Sequence, residues 1–202
     1  MNDLLIIFAK NARAGHVKTR LAEVIGDEQA LAVYLKLVDI TAQTIEQVNV
    51  PSIVYYSDNN ASFDSFSSTV TDTKIQAGKD LGERMFNAFK ECFALGYQRI
   101  VLIGTDCPTL TNEHIHQAFN SLNDTSVVLG PAEDGGYYLI GLKMAVAELF
   151  EGVNWSSPTV LRETIERCSQ QQLTFSLLPT LRDLDTFTDL IAHFPQWNIQ
   201  EN

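Results

Sequence analysis

The sequence predicts an α/β protein: a single domain with one mostly parallel sheet and helices on both faces. Three observations predict it. Strand-like and helix-like segments alternate along the chain, which implies parallel strands joined by right-handed crossovers. The run from Ile100 to Ile103, IVLI, is apolar without alternation, as in a strand covered on both faces. The chain of 202 residues, 45% hydrophobic and 19% charged, is long enough to bury one core and shows no low-complexity run, so 1–202 is read as one domain.

Element by element, Asp3 to Ala9 is the first strand, followed after a basic loop by a helix from about Asp27 to Val48. Leu31, Tyr34, Leu35, Val38, Ile45 and Val48 recur there near helical spacing. Strands are expected over Pro51–Ser57 and Thr73–Ala77. Asp80 then caps a helix through Met85, Phe86, Phe89 and Phe93 that stops at Gly96. Ile100–Gly104 is the fourth strand, and a helix over Thr111–Leu122 and strands over Ser126–Gly130 and Tyr137–Leu142 continue the alternation. Ser157-Pro158 opens a helix to about Gln170, because proline is tolerated at a first helical position. Leu173–Leu178 is the last strand. Thr186-Phe187-Thr188-Asp189 resembles a capping box that opens a terminal helix through His193. Ser57 to Asp72 is the only long loop.

Composition narrows the function classes. The formal net charge of −11 argues against nucleic acid and anionic membrane surfaces as partners, since both depend on a basic face. No segment reaches the roughly 20 apolar residues that a bilayer span needs, and the start MNDLLIIFAKN lacks the basic leader of a signal peptide. Three scattered cysteines form neither a disulfide framework nor a metal-ligand spacing. A cytoplasmic setting is expected.

The acidic balance has one local exception. Lys10, Arg13, Lys18 and Arg20 place four of the 14 basic residues in the loop after the first strand, where an α/β domain cradles phosphates. The loop has one glycine, Gly15, and no P-loop or dinucleotide fingerprint, so side chains must do the work: Lys18 as a point charge, Arg20 as a bidentate grip. The alternative is a solvated, charged loop.

Carboxylates follow or precede the strands at three places: Asp106, Asp134 and Asp183/Asp185. Asp106 ends the buried strand at its carboxyl edge, where open sheets bind ligands. It can stay ionised there by holding a divalent cation, or it can cap the turn or the helix near Thr111. Magnesium binds through one or two carboxylates plus substrate phosphates, so two convergent aspartates would suffice. Gly135-Gly136 beside Asp134 lets a ligand approach the main chain, although Asp-Gly is also a common hairpin turn. Tyr137 and Tyr138 should take opposite faces. Cys107 reads as a small buried residue, and His114 and His116 face different ways.

Taken together, AKNARAGHVKTRL, GKDLGERM, GTDCPTL, GPAEDGGYYLIGL and DLDTFTDL resemble the glycosyltransferase-like family formerly named domain of unknown function 2064. That family is similar to the phospholactate guanylyltransferases and, more distantly, to the molybdenum-cofactor nucleotidyltransferases, all with the GT-A (nucleotide-diphospho-sugar transferase) fold. The resemblance spans nearly the whole chain and keeps motif order. It implies that Lys18, Thr19 and Arg20, with Lys10, hold nucleotide phosphates, and that Gln76, Gly82 and Arg84 approach the nucleotide. It implies that Asp106 and Asp185, or Asp183, bind Mg2+ or Mn2+, and that Asp134, Gly135 and Gly136 line the acceptor side. Relatives commonly carry prolines where this chain has Ala12 and Ala14, so its loop should be less rigid. The expected activity is metal-dependent transfer from a nucleoside triphosphate to a small phosphorylated acceptor, with release of pyrophosphate and with Lys18, Arg20 and Asp106 catalytic. The alternatives are glycosyl transfer from a nucleotide sugar and a non-catalytic nucleotide-binding subunit.

Overall fold

The computed structural model describes residues 2–58 and 64–197. Seven strands, β1 (Asp3–Ala9), β2 (Ser52–Tyr56), β3 (Asp72–Ile75), β4 (Arg99–Ile103), β5 (Val127–Pro131), β6 (Tyr137–Leu142) and β7 (Phe175–Leu177), form one sheet in the order β3-β2-β1-β4-β6-β5-β7. Among the described residues the helices are α1 (Thr19–Ile25), α2 (Asp27–Glu46), α3 (Leu81–Ala94), α4 (Asn112–Ser121), α5 (Val160–Gln170) and α6 (Phe187–His193), with a 3-10 turn at Ala147–Leu149.

Both faces of the sheet are covered, which is why its central strands read as unbroken apolar runs. Leu5 and Ile7 of β1 and Val101 and Ile103 of β4 pack under α2 and α4, against Tyr34, Val38, Ile115 and Phe119. Leu4, Ile6, Ile100 and Leu102 point the other way, toward Met85 and Phe89 of α3 and Cys168 of α5. Burying each such side chain stabilises the fold by about 1.5–3 kcal/mol. A smaller cluster ties α1 and α6 to the outer face of α2 through Leu21, Ile25, Leu37, Leu184 and Leu190.

The expected elements are present, with three differences. First, β6 runs antiparallel to both of its neighbours, whereas β1, β2, β3 and β4 pair in parallel. Only residues 132–136 separate β5 from β6, too few for a crossover, so the chain must turn straight back. Second, the end of the basic loop is helical. The seven residues of α1 carry just Leu21 and Ile25 as buried positions, a signal too short to separate from a loop. Third, the helix after Pro158 begins at Val160.

The register between β5 and β6 slips at Gly130/Pro131, so that Tyr138 is the extra residue of a bulge. Tyr138 thereby joins the α2/α4 side, and Tyr137 packs on the α3/α5 side against Trp155. A Cβ at Gly130 would lie 2.5 Å from the Tyr138 ring, so only glycine admits that ring. Of the long loop, residues 59–63 lie outside the described residues; beyond them Phe66 is fully buried beside α2. Among the described residues no helix is long and apolar enough to cross a membrane.

Candidate active site

The carboxyl ends of β1 and β4 lie side by side, with Ile7 opposite Ile103. The basic loop leaves β1 under two restraints. The Tyr34 hydroxyl both accepts from the Lys10 N–H and donates to the Lys10 carbonyl, each at 2.8 Å. The buried Asn11 side-chain oxygen accepts from Ser57 Oγ at 3.2 Å and the Asp58 N–H at 3.1 Å. Arg13 pairs with Asp58 beside them. These contacts hold the start of the loop against α2 and the end of β2.

The loop ends at Lys18, which adopts left-handed backbone (φ 48°) immediately before α1. Its side chain is 3% exposed, and Nζ lies 2.5 Å from Asp106 Oδ1 and 3.1 Å from Asp185 Oδ1. Nζ also donates to the Leu184 carbonyl at 2.5 Å. All three ammonium protons are therefore used. Burial acts to lower the Lys18 pKa, but the charges of Asp106 and Asp185 outweigh it and hold it above the ordinary lysine value. The expected point charge on a phosphate is thus an ion-paired bridge between the two aspartates. Asp106 does not cap α4: Thr111 does, with His114 Nδ1 accepting from the Thr111 N–H at 3.2 Å.

Asp183 and Asp185 sit on a strap that the Leu184 N–H ties to the Asp106 carbonyl at 2.8 Å. Asp189, in the first turn of α6, shapes that strap. Its carboxylate accepts from the Asp185 and Thr186 N–H groups at 3.1 and 2.8 Å and from Arg182 at 2.7 and 2.9 Å. Burial works against ionisation of Asp189, yet hydrogen bonds from Thr186, Arg182 and the backbone bring its pKa down to about 2. A depressed carboxyl pKa stabilises the fold above the unfolded value, 3.8, and that contribution disappears as pH falls through 2. Asp189→Asn should therefore be less stable than wild type in urea at about pH 6, with the difference shrinking by about pH 2.5. A constant difference would remove Asp189 as an ionised anchor.

Asp183 is the opposite case. Its Oδ1 is buried with no hydrogen-bond partner, and burial, followed by the charges of Asp106, Asp134 and Asp185, pushes its pKa up to about 7. An orphaned carboxylate oxygen next to Asp106 and Asp185 is what a cation site would leave. Among the described residues no group of three His, Cys, Asp or Glu side chains could hold a metal by itself. Asp106 and Asp185 supply oxygen donors of the type a hard cation takes, too few to hold one alone.

Two adjoining clefts open over this end of the sheet. One, of about 480 Å³, is lined by Lys10, Lys18, Thr19 and Arg20 together with Asp106, Asp134 and Asp185. The other, of about 380 Å³, has Lys10, Gln76, Arg84, Asp106, Asp134, Gly136 and Asp183 in its walls, with Tyr137, Trp155, Ser156 and Ser157. Gln76 Nε2 donates to the Ala9 and Tyr55 carbonyls, fixing its side chain across the ends of β1 and β2.

Two residues from the sequence reading do not line either cleft. Gly82 packs inside: a Cβ there would meet the Phe150 carbonyl at 2.5 Å and the Trp155 ring at 2.7 Å. Gly135, at φ +90°, would place a Cβ 2.2 Å from the Pro158 carbonyl. It belongs to the β5–β6 turn, in which Asp134 Oδ1 accepts from the Gly136 N–H at 2.8 Å. Left-handed strain and overpacking together should make Gly135→Ala less stable by about 3 kcal/mol, read from urea denaturation. Wild-type stability would mean that the Pro158 segment yields. The Cys107 thiol is buried and pushed up to about 11 by burial and by the Asp183 charge, as suits an unreactive packing residue. Tyr34, Asn11, Trp155 and Ser156 were not expected at the site. Tyr34 carried only its helical spacing, Asn11 lay in the AKNARAGHVKTRL motif without a role of its own, and Trp155 and Ser156 had no local pattern.

A family model described as "Uncharacterized protein conserved in bacteria (DUF2064)" matches residues 40–157. The chain belongs to this family. A crystal structure from Desulfovibrio desulfuricans G20, named provisionally as a nucleotide-diphospho-sugar transferase, is 32% identical with a TM-score of 0.88, covering 98% of this chain and 88% of that one. The 2-phospho-L-lactate guanylyltransferase of Methanocaldococcus vulcanius is 25% identical over 141 residues, 69% of this chain but only 61% of that protein. The 4-diphosphocytidyl-2C-methyl-D-erythritol synthase of Anaerococcus prevotii shares the fold at 13% identity, with a TM-score of 0.63 and coverage of 96% and 98%. So does a Mycobacterium tuberculosis glucosyl-3-phosphoglycerate synthase, whose structure holds Mn2+ and UDP, at 10% identity, a TM-score of 0.58 and coverage of 95% and 75%. This family member therefore has the GT-A architecture that its motifs imply.

Proposed function

We propose that the chain is a transferase that binds a nucleoside triphosphate with Mg2+ or Mn2+ and passes the nucleotidyl group to a small acceptor, releasing pyrophosphate. The observation that carries this reading is the 480 Å³ cleft, which Lys10, Thr19 and Arg20 line together with Lys18, Asp106 and Asp185. The lysine and arginine side chains suit a polyphosphate, and the carboxylates beside them suit the hard cation that accompanies it. Asp106 and Asp185, with Asp183 behind them, would hold that ion, which neutralises phosphate oxygens when bound. Arg20 faces charge that grows on the leaving pyrophosphate, and Lys10 and Thr19 hold the phosphates in line. Gln76 and Arg84 border the nucleoside, while Asp134 and Gly136 border the acceptor.

A second reading, glycosyl transfer from a nucleotide sugar, draws support from the division of the 380 Å³ cleft. Its two cations, Lys10 and Arg84, come from the β1 and α3 side, and its β6 and α5 side offers Asp134, Tyr137, Trp155, Ser156 and Ser157. Hydroxyls, aromatic faces and a carboxylate suit an uncharged polyhydroxyl group better than a second phosphate.

Thermal unfolding with a panel of nucleoside triphosphates and nucleotide sugars, with and without Mg2+ or Mn2+, separates the two, because a ligand of the folded state raises the midpoint by mass action. Metal-dependent stabilisation by a triphosphate supports nucleotidyl transfer. Stabilisation by one nucleotide sugar alone favours the second reading, and binding with no turnover of any pair favours a non-catalytic nucleotide-binding subunit. No effect from any nucleotide would overturn the proposal.

A further inference from the structure

Lys18 Nζ lies between Asp106 and Asp185 and touches both, at 2.5 and 3.1 Å. A third contact, to the Leu184 carbonyl at 2.5 Å, locks it there. The side chain is 3% exposed, and the residue stands in left-handed backbone between the basic loop and α1, so the ammonium is delivered by a tethered, restrained segment. We infer that Lys18 is an internal competitor for the divalent cation: it holds the Asp106–Asp185 bridge while the nucleotide is absent, so that the ion enters together with the nucleotide. This inference rests on the reading that those two aspartates serve a metal.

The electrostatics support that order. A free hydrated ion arriving alone would have to shed water, displace a desolvated ammonium and sit beside that like charge. A polyphosphate changes the balance, since its oxygens complete the ion's shell and its negative charge offsets both cations. Lys18 then gives up at least one carboxylate contact. Lys18 is on this account a positioning residue that sets the order of binding and keeps the empty site from collecting stray metal.

The test is Mn2+ binding to the protein, followed as the protein-retained ion in equilibrium dialysis with the same Mn2+ and nucleotide concentrations on both sides of the membrane. Wild type, Lys18→Met and Lys18→Gln are compared first with Mn2+ alone and then with Mn2+ plus GTP or CTP. Removing the ammonium should tighten binding of Mn2+ alone by about tenfold or more. Adding Asp106→Asn to Lys18→Met should abolish the gain. Unchanged or weaker binding in both lysine variants overturns the inference, and if wild type still takes up Mn2+ with nucleotide, the metal reading survives that failure. If neither nucleotide promotes Mn2+ uptake by wild type, the metal reading fails instead, while the comparison with Mn2+ alone still judges Lys18. Should both variants fail to fold, the Lys18 ammonium resonance of 15N-labelled wild type replaces them. A signal that Mg2+ alone leaves in place and that Mg2+ with GTP or CTP displaces supports the inference, and one displaced equally by Mg2+ alone, or unmoved by both, overturns it.

Discussion

Asp106→Asn should lower the rate of the proposed transfer by about 100-fold or more at saturating Mg2+, with the fold intact. The amide keeps the shape and an oxygen that can accept from Lys18, so the turn after β4 should persist. It loses the charge that a hard cation requires. Asp106 is 46% exposed and Lys18 retains Asp185, so the stability cost is discounted to about 1 kcal/mol rather than that of a stranded buried charge. Pyrophosphate release and urea denaturation on the same preparation separate the two effects. Wild-type turnover would remove Asp106 from the metal site, and loss of folding would make it a structural residue.

Arg20→Ala carries the second largest expected effect. With the Lys18 protons committed to Asp106, Asp185 and Leu184, the other cations that line the larger cleft are Lys10 and Arg20. Arg20 is exposed on the first turn of α1, where alanine is a good helix former, so stability should change by less than about 0.5 kcal/mol. A guanidinium aimed at the leaving phosphates acts mainly in the transition state, so kcat should fall by about 10- to 100-fold with a smaller change in KM. An equal rise in KM with kcat unchanged would instead make Arg20 a uniform binding residue. No change in either constant would return it to solvent.

Features written into neighbouring residues were legible in the sequence. β1 and β6 have the expected bounds, Asp80 Oδ1 accepts from the Glu83 N–H at 2.9 Å, and Thr186 with Asp189 forms both halves of its capping box. Strand runs and caps depend on contacts within a few residues, which is why they survive translation into three dimensions. The direction of β6 was not legible from its own residues, since an apolar run pairs either way; it followed from the length of the turn before it. The role of Lys18 depends on partners 166 and 167 residues away, and no local rule reports them. The carboxylates were legible as individuals, by their places after strands, but their common partner was not. Tyr34 illustrates the same limit: its ring fits the helical stripe, while the bonds of its hydroxyl to Lys10 arise only when α2 lies beside β1.

The reversal of β6 also sets where this protein can change length. Because β6 starts where β1 and β4 end, the five-residue turn 132–136 belongs to the site, and any insertion there would carry Asp134 and Gly136 away from Asp106. The segment that leaves β6 at Lys143 emerges at the opposite end of the sheet, beside the start of β4, and the chain must travel back before Trp155 and Ser156 reach the cleft. That return path can lengthen or shorten at its far end without moving the carboxylates. A change of length there alters the surroundings of Trp155 and leaves Asp106 and Asp185 where they are.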